Sequence, residues 1–125
     1  MHPSTETIQK SAAPQSATSS PPGVVISHSY VKSGQYIGSP SIAKLDDGTY
    51  VASHDFFGPE TKEHEAATTL IFRSEDAGQS WQQVAEICPA FWSGLFAHEG
   101  VLYLFGPTHH HGHMVIRRSD DSGLT

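Results

Sequence analysis

From Gly23 onward, apolar and polar positions alternate in short runs rich in Val, Ile, Tyr, Phe and Thr, broken by Gly, Asp and Pro. A period of two with this punctuation predicts short strands, and no stretch keeps the 3.6-residue period of an amphipathic helix. The pattern predicts strands at 24–28, 41–45, 49–54, 69–73, 82–87, 94–98, 101–105 and 114–118. Asp47-Gly48 and Glu99-Gly100 each lie between two such runs, where glycine supplies the positive φ that a tight hairpin needs. Residues 1–22 have another texture. They are mostly Ser, Thr, Ala, Pro and Gln, with Ile8 as the only large aliphatic after the initiator. Burial there cannot offset the entropy of ordering, so a disordered tail is expected. A linker from a further domain or a degraded targeting segment stays open as an alternative.

Composition narrows the class. The 125 residues are 37% hydrophobic, 10% aromatic and 16% charged, which suits a loop-rich β protein with a partial core. Thirteen acids against seven bases give a formal charge of −6, so electrostatic gripping of a phosphate backbone is excluded and nucleic acid is not an expected partner. No apolar run approaches the ~18 residues of a membrane-spanning helix, and the N-terminus lacks a signal-type apolar region. No export address is expected on this reading, and the compartment stays unknown. Cys88 is the single cysteine, so no internal disulfide forms; beside Pro89 it reads as a small hydrophobe at a strand end. Gly-x-Gly-x-x-Gly, P-loop, His-Glu-x-x-His and Gly-x-Ser-x-Gly patterns are missing from the sequence, which leaves dinucleotide, nucleotide, zincin and serine-hydrolase chemistry without a motif. No cofactor is expected.

The chain then repeats itself. Ser74-Glu75-Asp76-Ala77-Gly78-Gln79-Ser80-Trp81 returns about 45 residues on as Ser119-Asp120-Asp121-Ser122-Gly123-Leu124-Thr125, each copy following a strand-like run that ends in arginine. The hairpins repeat as well, Gly48 matching Gly100. Ser and Asp side chains can bind the turn's own amides, Gly can take the left-handed position, and Trp81 can tuck its ring between neighbouring sheets. Ser-x-Asp-x-Gly-x-(Ser/Thr)-Trp resembles the Asp box, or BNR repeat, of the sialidase (neuraminidase) superfamily. The stretch Tyr36-Ile37-Gly38-Ser39-Pro40-Ser41-Ile42, followed by Asp47-Gly48-Thr49, resembles that superfamily's first propeller blade. The resemblance covers 24–125. It implies an all-β fold: about two four-stranded antiparallel blades of an incomplete, six-bladed sialidase-like β-propeller over 23–125, following the tail at 1–22. It also implies a glycan or glycoside as partner. Ser74, Asp76, Gly78 and Trp81, with Ser119, Asp121 and Gly123, are the structural residues of the two boxes.

Alternating strand direction puts the tight hairpins and the boxes on one face and the longer connections on the other. Binding groups are expected on the second face, at the segment leading into Ser39, at 54–68, at 88–93 and at 106–113. Among these, the loop opening His54-Asp55-Phe56-Phe57 continues through Glu60, Glu63, His64 and Glu65. The resemblance implies an aspartate acid/base catalyst there, and Asp55 matches by position; its pKa would have to be raised by burial or neighbouring carboxylates. A solvated acidic loop is the alternative. His54, Trp92, His109 and His111 are candidate substrate-binding residues, Trp92 by stacking on a sugar ring. The run Thr108-His109-His110-His111-Gly112-His113 is dense in imidazole, yet no Cys-x-x-Cys or spaced carboxylate completes a metal set, and no metal is expected.

Departures from the family pattern bear on activity. The resemblance implies an Arg-Ile-Pro opening whose arginine binds the substrate carboxylate; here the stretch is Gly38-Ser39-Pro40. Arg73, Arg117 and Arg118 abut the boxes and are expected to pair with box carboxylates. The family's tyrosine nucleophile, its glutamate partner and two further arginines belong to later blades. Three readings follow: part of a sialidase-like glycoside hydrolase, inactive alone; a non-catalytic BNR-type propeller that binds glycan or protein; or a truncated product with no independent activity. Exposed blade edges predict self-association of the chain alone.

Overall fold

The computed structural model describes residues 22–58 and 65–125. The expected tail, apart from Pro22, lies outside the described residues, as do Glu60, Glu63 and His64. The described chain forms seven strands: β1 (Tyr36–Lys44), β2 (Tyr50–Phe57), β3 (Ala67–Ser74), β4 (Gln82–Ala90), β5 (Gly94–His98), β6 (Val101–Pro107) and β7 (Met114–Ser119). A single 3-10 turn, Val31–Ser33, precedes them. The fold is all-β. Strands β1 to β4 make one antiparallel sheet and β5 to β7 a second, each in chain order. The second sheet thus has three strands among the described residues, where four were expected.

Both expected hairpins form. Gly48 takes φ 88°, its amide donates to Leu45 O at 3.0 Å, and Asp47 Oδ1 accepts from the Thr49 amide at 2.9 Å. In the other, Glu99 and Gly100 both take positive φ, the twist a two-residue connection needs. From there the two sheets keep one register. Tyr50, two residues past Gly48, pairs with Ser74, and Leu102, two residues past Gly100, pairs with Ser119. The repeat read from sequence is therefore a repeat of hairpin, strand and turn in space.

β2 pairs with β1 and β3 along its two edges, and its alternating side chains are buried on both faces. One face carries Val51, Ser53, Asp55 and Phe57; Val51 packs with Ala43, Leu45, Ile71 and, from the second sheet, Leu102. Burying Val51 completely contributes about 1.5–3 kcal/mol. The other face carries Ala52, His54 and Phe56, and there Ala52, Leu70 and Phe72 pack with Ile26 and Trp81. A third cluster, Phe57, Ala67 and Phe91, closes the end opposite the hairpins. Leu95 N donates to Ser41 Oγ at 2.9 Å, tying β5 to β1.

The strand expected at 24–28 is not one. That segment pairs with no strand among the described residues; Val24 and Val25 are exposed while Ile26 packs on the Ala52 face. Its composition favours a strand, but a strand also needs a neighbour's backbone. A second correction concerns β2, which continues through Phe57 because His54, Asp55 and Phe56 pair with Leu70, Thr69 and Thr68. These residues therefore do not open a loop. Cys88 is exposed near the end of β4, not a buried strand-end hydrophobe.

Candidate functional site

The box turns are built alike. In the first, Asp76 accepts from Ser74 Oγ at 2.7 Å, Ser80 N at 2.8 Å and Ser80 Oγ at 2.5 Å, while Ser74 Oγ accepts from Gly78 N at 2.9 Å. In the second, Asp121 accepts from Ser119 Oγ at 2.8 Å, Thr125 N at 2.9 Å and Thr125 Oγ1 at 2.6 Å, and Gly123 N donates to Ser119 Oγ at 2.8 Å. Hydroxyl and amide donors of Ser80 hold the Asp76 carboxyl down at about 2, and those of Thr125 do the same for Asp121. Gly78 and Gly123 are left-handed as expected, but so are Ala77 and Ser122, which the sequence did not announce. Trp81 packs close to its own turn and sheet. Its Nε1 donates to Gly78 O at 3.0 Å and its ring packs with Ala52, Leu70 and Phe72, on the face turned away from the second sheet.

Of the arginines, Arg73 pairs with Glu75, and Arg118 binds Asp120 Oδ1 at 2.6 and 2.8 Å, as expected. Arg117 departs from expectation, donating to Pro89 O at 2.5 Å and not to a box carboxylate.

Asp55 sits at the other end. It is wholly buried on β2, facing the second sheet. Thr69, its register partner on β3, donates to Oδ1 at 2.5 Å. The Ser39 hydroxyl, carried on a bulge in β1 where Ser39 takes φ 51°, also faces the carboxyl, as do the backbone amides of Trp92 and Ser93. None of these completes a hydrogen bond to Oδ2, which has no partner. Burial raises the pKa of this carboxyl and outweighs the four donors, which lower it. Where Asp76 is held as an anion, Asp55 is pushed toward the acid form.

His54 does not join it. One residue along the strand, it faces the opposite side, stacked on Phe72 at 5.2 Å and edge-on to Phe56 at 4.9 Å. Both ring nitrogens are buried without partners, and burial lowers its pKa, so the ring is neutral near pH 7. It borders a cleft of about 420 Å³ lined by Ile26, Pro40, Ile42, Ala52 and Phe72. As a substrate-binding residue it belongs to a different face from the acid.

The remaining candidates lie in the connections following β4 and β6, where the Trp92 backbone faces Asp55. Trp92, φ 46° and 59% exposed, lies 4.8 Å from the Phe91 ring and 5.1 Å from His110. His111 lies against His110 at 4.0 Å. His109 Nδ1 shares a 3.0 Å hydrogen bond with Thr108 Oγ1, inside a tight turn closed by Thr108 N to His113 O and Gly112 N to His109 O. Among the described residues no group of three or more His, Cys, Asp or Glu could hold a metal ion. Sequence reasoning missed Ser39, Thr69, Ser93 and His110. Ser39 and Thr69 are small hydroxyl residues inside strands and Ser93 lies between β4 and β5, and such residues carry no pattern of their own; the one available signal was Gly38, since glycine inside a strand marks a close approach.

The described residues form an all-β protein of two antiparallel sheets, with aspartates held low in pKa at one end and a buried carboxyl raised in pKa at the other. No known family model, curated protein or solved structure matches the chain. No helix among the described residues is long and apolar enough to cross a membrane.

Proposed function

We propose that this chain forms two blades of a sialidase-like β-propeller whose loop-bearing end handles glycans, with Asp55 as the acid/base group. The observation that carries the proposal is the Asp55 carboxyl: buried, raised in pKa, one oxygen held by Thr69 and the other without a partner, at the end that bears the connections following β4 and β6. A general acid must hold its proton near neutral pH, and burial is the ordinary way to arrange it. Because Trp92 and Ser93 lie over the carboxyl, a glycosidic oxygen reaches Oδ2 only once that turn shifts. The propeller reading is supported by the shared hairpin-to-box register and by the two boxes being bonded alike.

A non-catalytic BNR-type propeller that binds glycan or protein is the second reading. Complete burial of Asp55 favours it, as does the lack of an arginine ahead of Pro40. Saccharide titration of the chain, followed by amide chemical shifts, tests both readings. Shifts at 91–93 and 108–113 are expected; shifts confined to the box turns, or none with any saccharide, would overturn the glycan assignment. Release of a fluorescent aglycone from aryl glycosides, lost in Asp55→Asn, separates hydrolysis from binding alone.

A further inference from the structure

We infer that this chain associates head to tail, the outer face of the second sheet of one copy docking on the first-sheet face of another copy that carries Ile42. The contact reuses the one already made between the two sheets inside the chain, and it does not depend on what the loop-bearing end binds. Counted from Gly48 and Gly100, the strand register makes Phe96, Tyr103 and Ile116 of the second sheet the counterparts of Ala43, Val51 and Ile71 of the first. Ala43, Val51 and Ile71 are buried where Leu102 of the second sheet packs on them, with Leu95 alongside. Their counterparts have no such cover among the described residues. Phe96 is 43% exposed and Ile116 61%, and Phe105 is 43% exposed at the place where the first sheet carries the buried Ser53. Tyr103 stacks on Phe96 at 5.0 Å, so this face is a continuous apolar surface rich in rings.

The surface that answers it is the opposite face of the first sheet. Leu95, Leu102 and Leu104 do the covering inside the chain, and the same register gives them Ile42, Tyr50 and Ala52 as counterparts. Ile42, in the place of Leu95, is 59% exposed beside the cleft lined by Ile26, Pro40, Ala52 and Phe72. Each copy therefore carries an uncovered ring-rich face on one sheet and an apolar, cleft-bearing face on the other. Contiguous exposed apolar side chains of this kind mark an association surface, and burying them supplies the drive. The occupant is a second copy because the matching surface, in the same backbone register, already lies on this chain. The two faces are unlike, so their contact is heterologous and one copy can engage a different neighbour with each.

Sedimentation velocity of the full chain over a concentration series tests this. The parent is expected to exceed the mass of one chain, and more so as concentration rises. Ile116→Asp and Ile42→Asp, both at exposed positions, are each expected to weaken association by at least about tenfold. Phe105→Ser, which installs the residue found at the equivalent place in the first sheet, replaces Ile116→Asp should that variant not fold. Each variant keeps the face that the other has lost, so mixing the two is expected to give a species of two chains and no larger. A parent that stays monomeric at every concentration overturns the inference. Association left intact by Ile42→Asp also overturns it, since like faces or open strand edges are then what pair. A mixture of the two variants in which no two-chain species forms does the same. Saccharide binding by a monomeric parent leaves the glycan reading in place while this inference fails.

Discussion

Asp76 and Asp55 each accept a hydroxyl hydrogen bond at 2.5 Å, from Ser80 and Thr69, yet their pKa values move in opposite directions. At the box turn the carboxyl is open to water and meets donors from residues two and four positions away in the chain, which outweigh the small desolvation opposing its charge. Between the sheets, the donors round Asp55 come from β1, β3 and the turn at 91–93, and the cost of removing a charge from water exceeds what they return. The box is a local device that the second sheet repeats around Asp121. The Asp55 site is assembled by tertiary packing and occurs once among the described residues. Local chemistry gives a turn its shape; burial pushes a carboxyl's pKa upward.

The largest expected effect comes from disturbing the turn that covers Asp55. A Cβ on Gly106 in β6 would lie 2.4 Å from Ser93 Oγ and 2.7 Å from Ser93 Cα, so backbone has to move. Gly106→Ala is expected to cost about 3 kcal/mol in urea unfolding. Gly100→Ala, at φ 76° with open space around it, should cost only about 1 kcal/mol of backbone strain. Equal costs at the two sites would show that Ser93 is not seated tightly over the acid.

The box end should respond less, and to single hydroxyls. Ser74 is 2% exposed and its Oγ links Asp76 to Gly78 N, so Ser74→Ala is expected to lose about 1–2 kcal/mol. Ser119→Ala removes the same bonds at a half-buried position and should lose less. A Ser74→Ala variant as stable as the parent would mean that the turn holds its shape without its own side chains.

His54 sharpens the contrast on the face of β2 opposite Asp55. Its two ring nitrogens are buried without partners, so His54→Phe is expected to raise stability by about 1 kcal/mol. Its folded pKa lies below the ordinary 6.5, so its share of stability is complete above that value and is lost as pH falls through the folded one. The loss should vanish in His54→Phe. If the parent and variant denaturation profiles stay parallel below about pH 6.5, the imidazole is not titrating in a buried setting.

What the sequence made legible follows the same division. Asp47-Gly48, Glu99-Gly100 and the two boxes were readable because every group that shapes them lies within a few residues. Asp55 was readable as a candidate only through the resemblance, and its placement in a loop was wrong because pairing with Thr69 extends β2. Putting His54 and Asp55 in one site failed for an elementary reason: adjacent strand residues face opposite sides. The roles of Ser39 and Ser93 depend on strands brought together across the fold, and no spacing along the chain encodes that.

The smallest effect expected is also the most direct comparison of the two kinds of carboxyl. Asp55, raised above 3.8 when folded, contributes stability that is complete below that value and is lost as pH rises through its folded pKa. Asp76 and Asp121, held at about 2, contribute stability that is present above 3.8 and is lost as pH falls toward about 2. Their slopes therefore have opposite signs. Urea unfolding from about pH 3 to about pH 7, in the His54→Phe background, should show Asp55→Asn gaining on its parent as pH rises. Asp76→Asn should fall behind over the lower part of that range. Carboxyl carbon shifts give the site-by-site reading. An Asp55 carboxyl that titrates below 3.8 would mean that its hydrogen bonds outweigh burial, and the acid/base role proposed for it would lose its physical basis.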